Sequence, residues 1–392
     1  MTLYPRFLGL LTALLLAAVT FAPCPSAIAD PPSTKGMAAV LQPFVDKHSL
    51  AGAVTLVANK DKVLSLEAVG YMDVAAKTPM RTDCLFWIAS QSKPITATAL
   101  MILVDEGKVK LDEPAEMYLP ELKSLMIGEK VGNKVELRKP KRAVTVRDLL
   151  RHTSGMPFQS AEEKPTLDTL TLKAGVESYA KTPLDYEPGT EHRYSNAGIN
   201  TAGRIIEVVS GMPYEVFVEK RLTAPLGMTD TTFWPSGEQL KRLAKSYKPN
   251  AAKNDLEETK IGQLRYPLDD RTRQPMPAGG MFSTASDVGR FCQMILNGGT
   301  YEGKRYLSEA SVKEMTSRQT GEGIKQSYGL GWGVGGNGYG HGGAYATDML
   351  IDAKRGLVYV YMIQHAGFPG DGGKAKEAFH KAAAETFGAK AK

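Results

Sequence analysis

The strand-forming segments of this chain lie at its two ends, and that constrains the fold more than any other feature. Residues 53–57 and 63–66, separated by the polar Asn59-Lys60-Asp61-Lys62, read as a β-hairpin. Residues 350–352 and 357–364, joined by a turn at Ala353-Lys354-Arg355-Gly356, read as two more strands. Between these ends the pattern is helical. Ile95, Ala99, Ile102 and Leu103 form one stripe in a stretch opening at Ser90, and Leu149 and Leu150 mark another within 145–152. Residues 201–210 and 214–222 continue it, broken at Gly211-Met212-Pro213, and 286–296 follows. Amphipathic helices also flank the strands, at 36–47 (Met37, Val40, Leu41, Phe44, Val45) and in the alanine-rich 374–387. The simplest packing is an α/β (α+β) fold: one antiparallel sheet built by the two ends and flanked by helices, with a mostly helical domain inserted. The expected boundaries are 30–85 with 276–392 for the sheet domain, and 86–275 for the helical one.

Residues 1–29 have the layout of an export signal. Arg6 is the one charged side chain, an apolar run follows over 7–21, and Ala27-Ile28-Ala29 offers a cleavage site before Asp30. The run is short for a membrane span, so no stable span is expected after cleavage, and the expected location is periplasmic or secreted. The mature chain keeps Cys84 and Cys292. Two cysteines in an exported chain of this length make no disulfide framework, and both are expected as buried free thiols. Net charge is +6, and the one dense basic run, Arg138-Lys139-Pro140-Lys141-Arg142, is broken by proline and lacks interleaved aromatics. It reads as a solvated loop, so no nucleic-acid partner is expected.

Three short motifs carry chemistry. In Ser90-Gln91-Ser92-Lys93 a serine at a helix start exposes its hydroxyl, and Lys93 rises one turn away on the same face as a proton acceptor. This is the S-x-x-K arrangement of penicillin-recognising serine enzymes, although Ser178-Tyr179-Ala180-Lys181 matches it too. Tyr194-Ser195-Asn196 is the chain's one Tyr-x-Asn and follows the turn Glu187-Pro188-Gly189. A tyrosine with a depressed pKa can shuttle a proton, and an asparagine amide can grip both a substrate carbonyl and a lysine. The bland alternative makes Asn196 the cap of the next helix. His341-Gly342-Gly343-Ala344 enters a strand from a glycine-rich turn, where two glycines let a substrate lie against the backbone. The Ala344 N–H then pairs with that of Ser90 as an oxyanion hole. His365-Ala366-Gly367 is a rival for this third motif. His152-Thr153-Ser154-Gly155 reads as a helix end. With no H-E-x-x-H and scattered histidines, no metal and no cofactor is expected, and the absence of G-x-S-x-G argues against an α/β-hydrolase.

In this order, the motifs make the chain resemble the class C β-lactamase superfamily, which includes D-alanyl-D-alanine carboxypeptidases and β-lactamase-like esterases. Tyr194 follows Ser90 by 104 residues, and His341 follows Tyr194 by 147. The likeness extends to VTVRDLLRHTSGMP (144–157), YEPGTEHRYSNAGINTAGRIIE (186–207), PLGMTDT (225–231) and PAGGMFSTASDVGRF (277–291), covering about 36–388. It implies Ser90 as the acylated nucleophile, Lys93 and Tyr194 sharing the proton work, and Asn196, His341, Gly342 and Gly343 binding substrate. In the family's third motif a middle hydroxyl donates to the substrate carboxylate, and here Gly342 has none. A hydrogen bond to a charged group is worth roughly 1.5–3 kcal/mol, about ten- to a hundredfold in recognition. The expected activity is therefore an exported serine hydrolase acting on a small-molecule ester or amide, with slow β-lactam hydrolysis and partial positive charge from His341. The alternatives are a true class C-type β-lactamase or D-alanyl-D-alanine carboxypeptidase/D-aminopeptidase, and a non-catalytic penicillin-binding-like scaffold. A scaffold would be expected to have lost Ser90, Lys93 or Tyr194, and all are present.

Overall fold

The two ends of the chain meet strand against strand. In the computed structural model, which describes residues 1–2, 36–336 and 338–388, the N-terminal part supplies β1 (Gly52–Asn59), β2 (Val63–Asp73) and the short β3 (Thr78–Pro79). The C-terminal part supplies β4 (Gly333–Gly335), β5 (Gly338–Gly342), β6 (Asp348–Asp352) and β7 (Leu357–Met362). They form one seven-stranded sheet in the order β4-β5-β6-β7-β1-β2-β3, antiparallel throughout. The seam is β1 against β7, with Val54 opposite Met362 and Asn59 opposite Leu357. β4 and β5 fall in the glycine- and aromatic-rich stretch, whose low β-propensity hid them from pattern reading. All but Met1 and Thr2 of the expected export segment lie outside the described residues.

Side chains of a strand alternate between faces, and here both faces are covered. Val54, Leu56, Val358 and Val360 face one core, shared with α2 (Ser92–Asp105), α3 (Asn196–Ser210) and α4 (Ala285–Leu296). Ala53, Val57, Tyr359 and Tyr361 face a second, with α1 (Met37–Asp46) and Phe379 of α5 (Ala375–Phe387). That is why β1 is buried at nearly every position. α1 has no capping side chain of its own. Glu67 of β2 accepts the N–H groups of Met37 and Ala38 at 3.0 and 2.9 Å, satisfying donors that a helix start leaves open.

The central helix differs from the one-stripe expectation. Every residue of α2 from Ser92 to Leu103 is buried, because Thr96, Ala97, Thr98 and Ala99 are small enough for neighbours to pack on all sides. The middle of the chain is also less purely helical than its pattern implied, holding hairpins at Ile127–Val131 with Lys134–Arg138 and at Ser246–Pro249 with Leu256–Thr259. Cys84 and Cys292 are separate buried thiols. The basic run stays largely exposed, with Arg138 paired to Glu187 and Arg142 to Asp148, each at 2.5 Å.

A buried ion pair anchors the segment leading into the candidate site. Arg273, 1% exposed, donates to Asp168 at 2.7 Å and to the carbonyls of Phe233 and Leu268. The Arg265 N–H reaches both Asp168 oxygens at 3.1 Å. Arg273→Leu leaves the Asp168 carboxylate buried without its cation, so unfolding free energy is expected to fall by about 3–5 kcal/mol. Denaturant titration measures this, and a loss under about 1 kcal/mol contradicts the assignment.

Candidate active site

Ala89–Gln91 form a 3-10 turn that feeds directly into α2. Ala89 lies in the left-handed region at φ 46°, a costly backbone for a residue with a Cβ and one that concentrates at functional sites. The half-buried Ser90 follows. As the second residue of the turn its N–H precedes the first intrahelical bond. The neighbouring hydroxyl is tied to the backbone, since Ser92 donates to the Ala89 carbonyl at 2.7 Å and accepts the Met281 N–H at 3.2 Å. Ser92 therefore holds the turn, and Ser90 is left facing the site.

Lys93 is fully buried. Its Nζ lies 2.8 Å from Asn196 Oδ1, 2.6 Å from the Ala278 carbonyl and 3.2 Å from Ser90 Oγ. None of these partners is a carboxylate. Burial without a counter-ion drives the amine well below the ordinary lysine range, toward the neutral form.

Asn196 reaches the lysine because it is not the helix cap. Ser195 caps α3, its hydroxyl accepting the Gly198 N–H at 3.0 Å, which frees the Asn196 side chain. Tyr194 stands over the lysine, with Nζ 4.6 Å from its ring centroid. Its phenol is opposite to the depressed group expected from the motif. Burial raises it, and the Ser90 hydroxyl offsets only part of that, so the resting group is a neutral proton donor.

The third motif is placed differently from its expectation as well. His341 and Gly342 are already inside β5, and the turn comes after them at Gly343-Ala344. His341 carries no useful positive charge: desolvation pushes it down to about 4. Nor has it a ring nitrogen free for a ligand, since Nδ1 lies 2.7 Å from the Gly342 carbonyl and Nε2 3.0 Å from the Tyr328 hydroxyl. Gly343 must be a glycine, since a Cβ there would sit 2.2 Å from Thr347 Oγ1 and 2.6 Å from the Ile88 carbonyl. That close approach seats the loop against Ile88, two residues before Ser90. Thr347 Oγ1 also donates to the Ile88 carbonyl at 3.4 Å. Ala344 is exposed, and its N–H has no backbone acceptor among the described residues. Gly342 has room, with its Cβ position 3.5 Å from the Thr347 carbonyl and 3.7 Å from Asp348 Oδ1.

The rival motifs are structural. Ser178 donates to the Gly175 carbonyl at 2.7 Å inside a helix and pairs with the Ser160 hydroxyl at 2.8 Å, while Lys181 is exposed. His365 is buried and accepts the Ala51 N–H at 3.1 Å. Sequence reasoning missed Ala278, whose contribution is a backbone carbonyl and so leaves no residue-type signal. It also missed Asn200, whose Oδ1 accepts the Ala278 N–H at 3.1 Å; four residues after Asn196, it lies on the same face of α3. Among the described residues no cluster of acidic, histidine or cysteine side chains could hold a metal ion, and no helix is long and apolar enough to cross a membrane.

A protein of Mycobacterium tuberculosis, Rv1367c, is 33% identical over 369 residues, covering 84% of this chain and 90% of its own. EstCE1, a hydrolase with promiscuous acyltransferase activity, superposes with a TM-score of 0.72 at 24% identity, covering 88% of this chain and 97% of its own. A D-amino acid amidase from Ochrobactrum anthropi SV3 gives 0.68 at 24% identity, covering 89% and 98%. At that identity the two superpositions speak for the fold. The β-lactamase family model matches residues 37–384, a span that includes all three motifs, and the chain is a member of the β-lactamase family.

Proposed function

We propose that this protein is a serine hydrolase acting through an acyl-enzyme on Ser90, with a neutral carboxylic ester or amide as substrate. The observation that carries this is the buried Lys93 amine. A neutral amine has two N–H groups and one lone pair. Asn196 Oδ1 and the Ala278 carbonyl can only accept, so they take the two N–H groups. The lone pair then faces the Ser90 hydroxyl, 3.2 Å away. Lys93 takes the hydroxyl proton as Ser90 Oγ bonds to the substrate carbonyl carbon, and the displaced electron pair moves onto the carbonyl oxygen. The N–H groups of Ser90 and Ala344 receive that charge. When the intermediate collapses, the leaving group takes the Tyr194 proton, which the Lys93 ammonium replaces. Water, activated by the again-neutral Lys93, then cleaves the acyl ester and restores Ser90. The same reading takes residues 1–29 as an export signal.

Ser90→Ala is expected to abolish both ester hydrolysis and labelling by a fluorophosphonate probe. Its melting temperature should barely move, because a helix-start hydroxyl contributes at most about 1 kcal/mol as a cap. In the unaltered protein the labelling rate should be flat through neutral pH and fall only on acidification, as the depressed Lys93 amine gains its proton. A rate that instead climbs toward pH ~10, the range of a solvated lysine, removes Lys93 as the base.

Two observations favour a substrate without a free carboxylate. Gly342 supplies no hydroxyl, and the neutral His341 supplies no cation. The acyltransferase activity of EstCE1 fits an acyl-enzyme, and the name of the D-amino acid amidase fits an amide. Gly342 is outside the left-handed region and has space at its Cβ position, while nearby Asp348 is engaged by Lys376 at 3.1 Å and His380 at 3.3 Å. Gly342→Thr should therefore fold and narrow the preference for p-nitrophenyl esters over a chromogenic cephalosporin. The expected relative gain in kcat/KM is about tenfold. A variant that folds, keeps its ester rate and gains nothing on the cephalosporin contradicts the assignment of specificity to this position.

A further inference from the structure

His152 follows the short Val146–Leu150 helix from a left-handed backbone position (φ 58°) and is fully buried. Its Nδ1 accepts the Ser195 N–H at 3.2 Å. That nitrogen therefore carries no proton, and Nε2 carries it. Nε2 lies 3.3 Å from the Tyr328 hydroxyl. At the other end His341 Nδ1 faces the Gly342 carbonyl, which can only accept, so here the proton sits on Nδ1. His341 Nε2 is then a bare acceptor, 3.0 Å from the same Tyr328 hydroxyl. With both outer tautomers fixed by backbone groups, the middle has one consistent direction. His152 Nε2–H donates to the Tyr328 oxygen, and Tyr328 O–H donates to His341 Nε2.

The cluster is packed as well as bonded. Tyr328 is 5% exposed, and its ring lies 4.9 Å from His152, 5.3 Å from His192 and 6.3 Å from His341. The His152 ring stands 4.5 Å from Tyr194. The elements joined are far apart in sequence. Ser195 sits between Tyr194 and Asn196, and Gly342 precedes Gly343-Ala344, so the buried His152 and Tyr328 and the half-buried His341 connect the second motif to the third.

We propose that His152 and Tyr328 are positioning residues: together with His341 they form a one-directional hydrogen-bond relay that locks the Tyr194–Asn196 loop to the Gly342–Ala344 edge. The consequence for rate rests on the serine-hydrolase function proposed above; the relay itself does not.

Nitrogen-15 labelling of the six histidines, with long-range proton–nitrogen spectra assigned through His152→Asn and His341→Asn, reads the tautomers directly. The expected result is Nε2–H on His152 and Nδ1–H on His341. Tyr328→Phe keeps the ring but removes the shared hydroxyl. It should leave Nδ1–H on His341, which the Gly342 carbonyl holds, shift the His341 Nε2 resonance as that nitrogen loses its donor, and lower kcat on a short p-nitrophenyl ester about tenfold, with KM changed less than about twofold. Should that variant fail to fold, His152→Asn keeps an acceptor for the Ser195 N–H but falls short of Tyr328, and the same kcat loss is expected. The relay is overturned by Nε2–H on His341 or Nδ1–H on His152 in the unaltered protein. Its positioning role is overturned if either folded variant retains full kcat. If the unaltered protein hydrolyses no ester or amide, the proposed function fails and the rate effect with it, while the tautomers still decide the relay.

Discussion

The pairing of β7 with β1 holds this architecture together. Val54 to Asn59 sit opposite Met362 to Leu357, so the sheet exists only when segments about three hundred residues apart have found each other. Closing so long a loop is costly in entropy, but the cost grows only slowly with length. It is met by apolar side chains sent to both faces of the seam, where helices cover them. The ladder also brings β5, two strands away from β7, to the N-terminal end of α2. Without the seam, Ser90 and Ala344 would have no common neighbourhood.

Within that frame the site is organised around a charge that is left out. A buried amine with no carboxylate partner is unfavourable in its protonated form. The protein answers with two carbonyl oxygens, which satisfy the N–H groups of a neutral amine and leave its lone pair available. A carboxylate in place of either would stabilise the ammonium and raise its proton affinity, leaving no lone pair free near neutral pH. Tyr194, raised by its own burial, keeps its proton and is the acid in the proposed reaction. The starts of α2 and α3 therefore bring together an amine and a phenol whose proton affinities desolvation shifts in opposite senses.

Much of this was legible in the residues, and the parts that were not share a cause. The order and spacing of Ser90, Lys93, Tyr194 and His341 can be read without any coordinates, as can the division into strand-bearing ends and a helical middle. Periodicity also located α1, α4 and α5 to within a residue or two. What pattern cannot give is burial. The proton affinities of Tyr194 and His341 differ from expectation because desolvation depends on what packs around a ring, not on its neighbours in sequence. The same holds for α2, whose small residues invite packing on every side. His152 read correctly as a helix end, yet a left-handed turn there also aims its ring beneath Tyr194. Ser195 rather than Asn196 took the cap, a choice between adjacent residues that propensity does not make.

The complete burial of α2 from Ser92 to Leu103 has a consequence for how such a protein can diversify. A helix packed on every face tolerates few replacements, so the residues beneath Ser90 are held by the core itself and drift little whatever the substrate. The rim is free of that restraint. Gly342 has space for a side chain, and Ala344 faces solvent while offering only its backbone. Variation in a mutant library, or over natural descent, should therefore accumulate at the rim and change which molecules are accepted, while the chemistry beneath stays the same.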